Sequence, residues 1–260
     1  MNIHDLRDRA AVVTGGAAGI GYAIAQRLVA SGARVSLWDR DERALAESAK
    51  ALGAATHTVR VDVADETDVC LARDETVREL GRVDALVCSA GITGPNLATW
   101  EYPVADWKRV MDVNVNGQFH VARSTVPHLK QNGWGAMVCM ASVAGKYAFP
   151  LRSPYAASKA AVISFARSLS VELGPHKIRV NAIAPGVVAG ERIRRVFSDR
   201  SKTRGITYED MEEIALRAVS LKTMVEPEEI AELVLFLCAP TGRAITGQVH
   251  SICGGLEYTE

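Results

Sequence analysis

The chain has 260 residues, of which 48% are apolar, so it is long enough for one large α/β domain or two small ones and can build a sizeable core. Thirty Lys and Arg balance thirty Asp and Glu, which argues against nucleic acid or a membrane surface as the main partner. No run approaches the ~18 apolar residues of a membrane span, Gly15, Gly16, Gly19 and Gly21 interrupt any secretory apolar region after the polar start, and five scattered cysteines without a CxxC spacing read as buried residues of a reducing cytoplasm.

In chain order, Ala10–Thr14 reads as a buried strand and Gly19–Ser31 as a helix. Arg34–Asp39 is a second strand, Glu42–Leu52 a second helix and Ala55–Val61 a third strand. Asp65–Leu80 is a helix with Asp65 as its N-cap, and Ala85–Ser89 a fourth strand. Two helices, Asp106–Val113 and Val115–Asn132, precede Gly133 as a stop signal. Ala136–Ser142 is a fifth strand, Tyr155–Leu173 a long helix, Arg179–Ala184 a sixth strand, Glu228–Cys238 a helix and Val249–Cys253 a seventh strand. Alternation of continuous apolar strands with helices predicts a single doubly wound α/β domain over residues 1–260, a seven-stranded parallel sheet covered on both faces.

Val187 to Thr223 breaks the rhythm, with helix-like pieces at Arg192–Arg200 and Glu209–Val219 but no strand. An insertion after a strand of an open α/β sheet falls at the carboxyl-end crevice, where ligands bind, so a substrate lid over 187–223 is one reading and a peripheral packing subdomain the other.

The turn Thr14-Gly15-Gly16-Ala17-Ala18-Gly19-Ile20-Gly21 lies between the first strand and the first helix. There, glycines let the backbone approach a pyrophosphate and the helix amino end offers N–H groups and positive dipole. The spacing departs from GxGxxG. Asp39 ends the second strand twenty residues after Gly19, where a carboxylate accepts hydrogen bonds from ribose hydroxyls and repels a 2′-phosphate; capping the next helix is the alternative role. NAD is therefore expected in preference to NADP, although Arg40 offers a guanidinium for a 2′-phosphate.

Tyr155 and Lys159, four residues apart, share one helix face. A neighbouring ammonium favours the phenolate, which makes Tyr155 a general base for alcohol oxidation or a general acid for carbonyl reduction. Ser142 closes the fifth strand and can steady the developing alkoxide.

With these motifs the chain resembles the short-chain dehydrogenases/reductases, in their branch of about 250 residues, over nearly its whole length. Thr14–Gly21 is similar to the family's TGxxxGxG turn, Tyr155–Lys159 to its YxxxK, and Ser142 stands where its catalytic serine stands. The resemblance implies that Asn114 completes a water-linked relay to Lys159 and that Lys159 also holds the nicotinamide ribose. It implies cofactor contacts at Gly15, Gly19, Ile20, Gly21, Asp39, the Asp62-Val63 pair beside the adenine, Ala90 and Gly91 along the adenosine ribose, and the turn of Pro185, Gly186 and Val188 at the nicotinamide. Ile245–Gln248 and the closing Gly254-Gly255 are similar to a segment that packs at a tetramer interface, which implies a homotetramer or dimer. The family's NNAG is here Cys88-Ser89-Ala90-Gly91, Gly190 replaces a threonine and Cys253 an aspartate, so the hydrogen bonds of the missing asparagines need another source.

The expected activity is interconversion of a secondary alcohol (a sugar, polyol, hydroxy acid or similar) and its ketone. A non-catalytic NAD(H)-binding sensor or scaffold is the alternative, and a lyase or dehalogenase a third reading that the lysine and the glycine turn oppose. Thr93–Trp100, Ala144–Arg152 and the lid are the substrate-facing candidates. The lid start, Glu191–Arg204, holds six cations against two anions, a net of +4, which reads either as steering of an anionic substrate or as a solvated face. Arg192, Arg195 and Arg152 are the candidate anchors. Trp100, Phe149 and Phe197 are candidates for an apolar wall, with core packing the first expectation for each; the six histidines show no metal-ligand spacing.

Overall fold

The computed structural model describes residues 4–256. Seven strands form one parallel sheet in the order β3-β2-β1-β4-β5-β6-β7: β1 Ala10–Thr14, β2 Arg34–Asp39, β3 Thr56–Arg60, β4 Ala85–Cys88, β5 Gly135–Met140, β6 Ile178–Pro185 and β7 Val249–Ile252. The four strands β1, β4, β5 and β6 are buried at every position. Successive side chains serve opposite faces. Ala11 and Val13 pack with α1 (Gly19–Ala30), α2 (Glu42–Leu52) and α9 (Pro227–Cys238), whereas Val12 packs with α3 (Glu66–Leu80), α5 (Gly117–Gln131) and α6 (Ser153–Leu173). Two separate apolar layers thus sandwich the sheet, as the continuous apolar runs predict.

The chain winds outward from β1 to β3, then returns and continues through β4 on the other side of β1. The reversal opens a crevice beyond the carboxyl ends of β1 and β4. Every turn singled out from the sequence leaves a strand at that end: Gly15–Gly21 after β1, Ser89–Gly91 after β4, Ser142 after β5 and Gly186–Val188 after β6.

Two boundaries differ from expectation in an informative way. The predicted break at Asn114 is instead a continuous helix, in which α4 (Val104–Met111) runs through a π-turn, Asp112–Asn116, into α5. The extra residue of a π-turn re-aims one side chain without ending the helix, and here that side chain is Asn114. The insertion 187–223 contains α7 (Glu191–Arg204) and α8 (Tyr208–Arg217), both longer at their amino ends than predicted. Its stem is closed by hydrogen bonds from Val225 N to Val187 O and from Ala189 N to Val225 O.

Candidate active site

The glycine turn is shaped by contacts that exclude a side chain. Gly15 has φ +63°, and a Cβ there would lie 2.9 Å from the Cα of Ala90; a Cβ on Gly21 would run into the Gly15 carbonyl oxygen. No side chain caps α1, and its first turn has no acidic residue, so the amino end of the helix faces the crevice bare. Asp39 fixes the turn from the side, its Oδ2 accepting from Ala17 N at 3.3 Å. The side-chain cap of α2 is Asp41, whose Oδ1 accepts from Ala44 N at 3.0 Å, and Asp39 Oδ1 accepts from Asp41 N at 3.2 Å. This bare helix end, beside a turn with no room for side chains and a fixed carboxylate at its rim, fits a dinucleotide pyrophosphate and ribose.

The work of the missing asparagines falls to Thr14, which the sequence reading did not single out. Its Oγ1 accepts from Ser89 N and Ala90 N, both at 3.1 Å, and ties the exit of β4 to the end of β1. Its place as the first residue of the turn was the available signal. At the far wall, burial opposes ionisation of Asp62, but the Ala64 amide and the charges of Arg109 and Arg40 outweigh it and hold the carboxyl below its usual range. Val63 is buried against Gly117, where a Cβ would come within 2.8 Å of it.

Tyr155 and Lys159 lie one turn apart on α6, with Lys159 Nζ 5.7 Å from the centre of the Tyr155 ring. Nζ donates to Met140 O at 2.8 Å, at the end of β5. Burial, and then the charge of Arg192, pull the Lys159 ammonium down to about 7. Ser142 Oγ accepts from Ala144 N at 3.2 Å and so caps the short turn Val143–Gly145. Gly145 rests on α6, where a Cβ would lie 2.6 Å from the Lys159 carbonyl carbon. The serine and the lysine are therefore set by one backbone contact, a role for Gly145 that nothing in the sequence pattern announced.

Asn114 is fully buried. Its Oδ1 accepts from Ile92 N at 2.8 Å, and its Nδ2 donates to Ile92 O and to Ser158 Oγ, both at 2.9 Å. Ser158 Oγ in turn donates to Tyr155 O. Asn114 thereby joins the loop after β4 to the helix bearing Tyr155. A Cβ on Gly91 would lie 3.1 Å from Asn114 Oδ1 and 3.4 Å from Lys159 Nζ, so this glycine marks the meeting point of the two side chains.

Pro185 ends β6, and Gly186 N donates to Ile252 O at 3.0 Å. A Cβ on Gly186 would lie 2.7 Å from the Cβ of Cys253. Val188 bridges to Val225 at the base of the insertion.

The candidate substrate residues separate. Arg192 Nη2 reaches out of the insertion to Gly91 O at 3.1 Å, whereas Arg195 pairs with Glu191 on its own helix. Arg152 is buried at the start of α6, and its charge acts on Tyr102, whose hydroxyl donates to Pro95 O at 3.2 Å. Phe197 packs in the core, edge-on to Tyr208. Phe149 is half-buried with Arg200 5.6 Å above its ring. Trp100 is 88% exposed, which corrects the expectation of core packing: it sits on a 3-10 turn at the loop surface. Among the described residues no helix is long and apolar enough to cross a membrane.

A family model described as enoyl-(acyl carrier protein) reductase matches residues 15–257. The 2-dehydro-3-deoxy-L-rhamnonate dehydrogenase (NAD(+)) of Sphingomonas sp. (strain SKA58) is 46% identical over 177 residues, 68% of this chain and 71% of that protein. The crystal structure of NAD+-bound xylitol dehydrogenase superposes with a TM-score of 0.92 at 29% identity, covering 96% of this chain and 99% of the other. The crystal structure of an actinorhodin polyketide ketoreductase variant with NADPH superposes with a TM-score of 0.92 at 33% identity, covering 95% of this chain and 97% of the other.

Proposed function

Given that the chain belongs to the short-chain dehydrogenase/reductase family and is a dehydrogenase acting on CH–OH groups over a dinucleotide-binding fold, we propose that it interconverts a secondary alcohol and its ketone with NAD, through Ser142, Tyr155, Lys159 and Asn114. The observation that carries this reading is the convergence of Tyr155, Lys159 and the Ser142 turn at the end of β5, facing the glycine turn across the crevice.

The bound dinucleotide supplies the hydride acceptor in oxidation and the donor in reduction. Gly15, Gly19, Ile20 and Gly21 would hold its pyrophosphate on the bare end of α1, and Asp62, Val63, Ala90 and Gly91 would line the adenosine side. Pro185, Gly186 and Val188 would form the wall at the nicotinamide. Ser142 Oγ donates to the substrate oxygen and orients the carbinol. Tyr155 takes the hydroxyl proton as the alcohol is oxidised and returns one in the reverse direction. Lys159 stabilises the phenolate by its charge and holds ribose. Asn114 fixes the loop after β4 against α6 and keeps a second lone pair on Oδ1 beside Lys159, where a water can continue the proton path.

NAD is favoured because the Asp39 carboxylate stands fixed at the rim of the turn, where it accepts ribose hydroxyls and repels a 2′-phosphate. Arg40 contributes its charge to holding Asp62 ionised, after the Ala64 amide and Arg109. The NAD-dependent rhamnonate and xylitol relatives support the same choice, and the ketoreductase with NADPH marks the other one. Exposed Trp107 and Phe119 along α4 and α5, with Val171 on α6, support a homotetramer or dimer.

Tyr155→Phe tests the mechanism: kcat should fall about 100-fold or more while the dissociation constant for NAD, read by fluorescence titration, holds. A variant that keeps full turnover would contradict the assignment of Tyr155.

A further inference from the structure

The cations at the start of the insertion are not equivalent. Arg195 is paired with Glu191, and Arg200 lies over the ring of Phe149. Arg192 makes no ion pair among the described residues; its Nη2 donates to a backbone carbonyl, that of Gly91, at 3.1 Å. Gly91 also adjoins Lys159, since a Cβ there would lie 3.4 Å from Nζ. Arg192 and Lys159 thus approach one residue from two sides, and the charge of Arg192 is felt at the lysine.

Lys159 is buried while Arg192 is exposed to solvent, so the two like charges repel across a partly screened path, and a bound anion relieves that repulsion. The carboxylate next in sequence to Arg192, Glu191, is engaged by Arg195. Arg192 keeps further N–H donors in its planar fork after the bond to Gly91, and that fork matches the two oxygens of a carboxylate. Gly91 adjoins Lys159 Nζ, which lies 5.7 Å from the centre of the Tyr155 ring, so Arg192 stands within reach of the lysine that neighbours the tyrosine.

We infer that Arg192 is the anchor for a carboxylate on the substrate, so that the site takes hydroxy acids in preference to neutral alcohols. The inference rests on the dehydrogenase reading of the same site. It distinguishes one arginine from its five cationic neighbours, and it predicts that specificity depends on that side chain rather than on the net charge of the helix.

The test is steady-state NAD reduction with pairs of 3- and 4-hydroxy acids and their methyl esters, alongside neutral polyols and a hydroxy sulfonate. The intact protein should prefer each acid to its ester by about 30-fold or more in kcat/KM, the scale of a charge-assisted contact. In Arg192→Ala that preference should collapse to within about threefold, and Arg192→Lys should keep part of it. Arg195→Ala, which removes one charge of the same sign from the same helix, should leave the preference in place. Equal use of acids and esters by the intact protein overturns the inference alone. So does an Arg192→Ala variant that loses acid and ester turnover by one common factor. Sulfonate preferred over carboxylate overturns the choice of carboxylate. No NADH from any member of the panel overturns the dehydrogenase reading, and the inference falls with it.

Discussion

Lys159→Met should make the protein inactive and more stable, and the gain should depend on pH. The ammonium is buried and held at about 7 instead of its ordinary 10.5, by burial first and by Arg192 second. Below pH 7 the lysine is charged in both the folded and the unfolded chain, and folding then carries the whole cost of burying that charge. The gap between the two values corresponds to about 5 kcal/mol. Above pH 7 the folded protein begins to bind one proton fewer than the unfolded chain, so the cost shrinks with rising pH and is gone above 10.5. Methionine has nearly the same length and no charge, but it forfeits the bond to Met140 O, an offset of about 1–2 kcal/mol. The expected net gain at pH 6 is about 3 kcal/mol, or roughly 6–12 °C in Tm for a chain of this size. At pH 9.5 about 1 kcal/mol of the original cost is left, so the variant should melt close to the intact protein. Cofactor-free samples in scanning calorimetry at the two pH values decide it. A gain of the same size at both, or a variant less stable at both, would refute the idea that the site stores an electrostatic cost in its lysine.

Asp39→Asn retains an acceptor for Ala17 N but loses the charge, and should raise kcat/KM with NADP relative to NAD about tenfold; an unchanged ratio in paired assays counts against Asp39 as the selector. Thr14→Val leaves the amides of Ser89 and Ala90 without their acceptor, at a cost of about 2 kcal/mol. A urea titration should show a lower midpoint with unchanged slope, and Thr14→Ser should restore most of it.

The fold was legible because its signals are local. Five buried residues in β1, four in β4 and six in β5, nearly all apolar, stand between helical repeats, and a parallel sheet buried on both faces needs little else. Tyr155 and Lys159 were legible for the same reason, since four residues on a helix fix a shared face. What escaped was non-local. The bond from Ser89 N to Thr14 joins residues 75 apart, and no spacing announces it. The π-turn at Asp112–Asn116 followed no turn residue but the demand for Asn114 to meet both Ile92 and Ser158. The basic stretch of α7 was visible as a sum, yet only the arrangement of Gly91, Glu191 and Phe149 sorts its arginines into different tasks. Trp100 misled because an apolar side chain is not bound to be an interior one.

The stem of the insertion has a wider consequence. Val187, Ala189 and Val225 hold the two ends of some three dozen residues together at their base, outside the seven-stranded ladder. Because the ends already meet, lengthening or shortening the intervening chain adds only a slowly growing closure cost and leaves every strand register untouched. The insertion is in that sense free to vary in length between its stem and the bridge of Val219 to Leu256. A graft between Ala189 and Val225 would have to preserve Val219, which packs on Val143 beside Ser142 and bridges to Leu256, because that contact joins the insertion to the machinery at the end of β5.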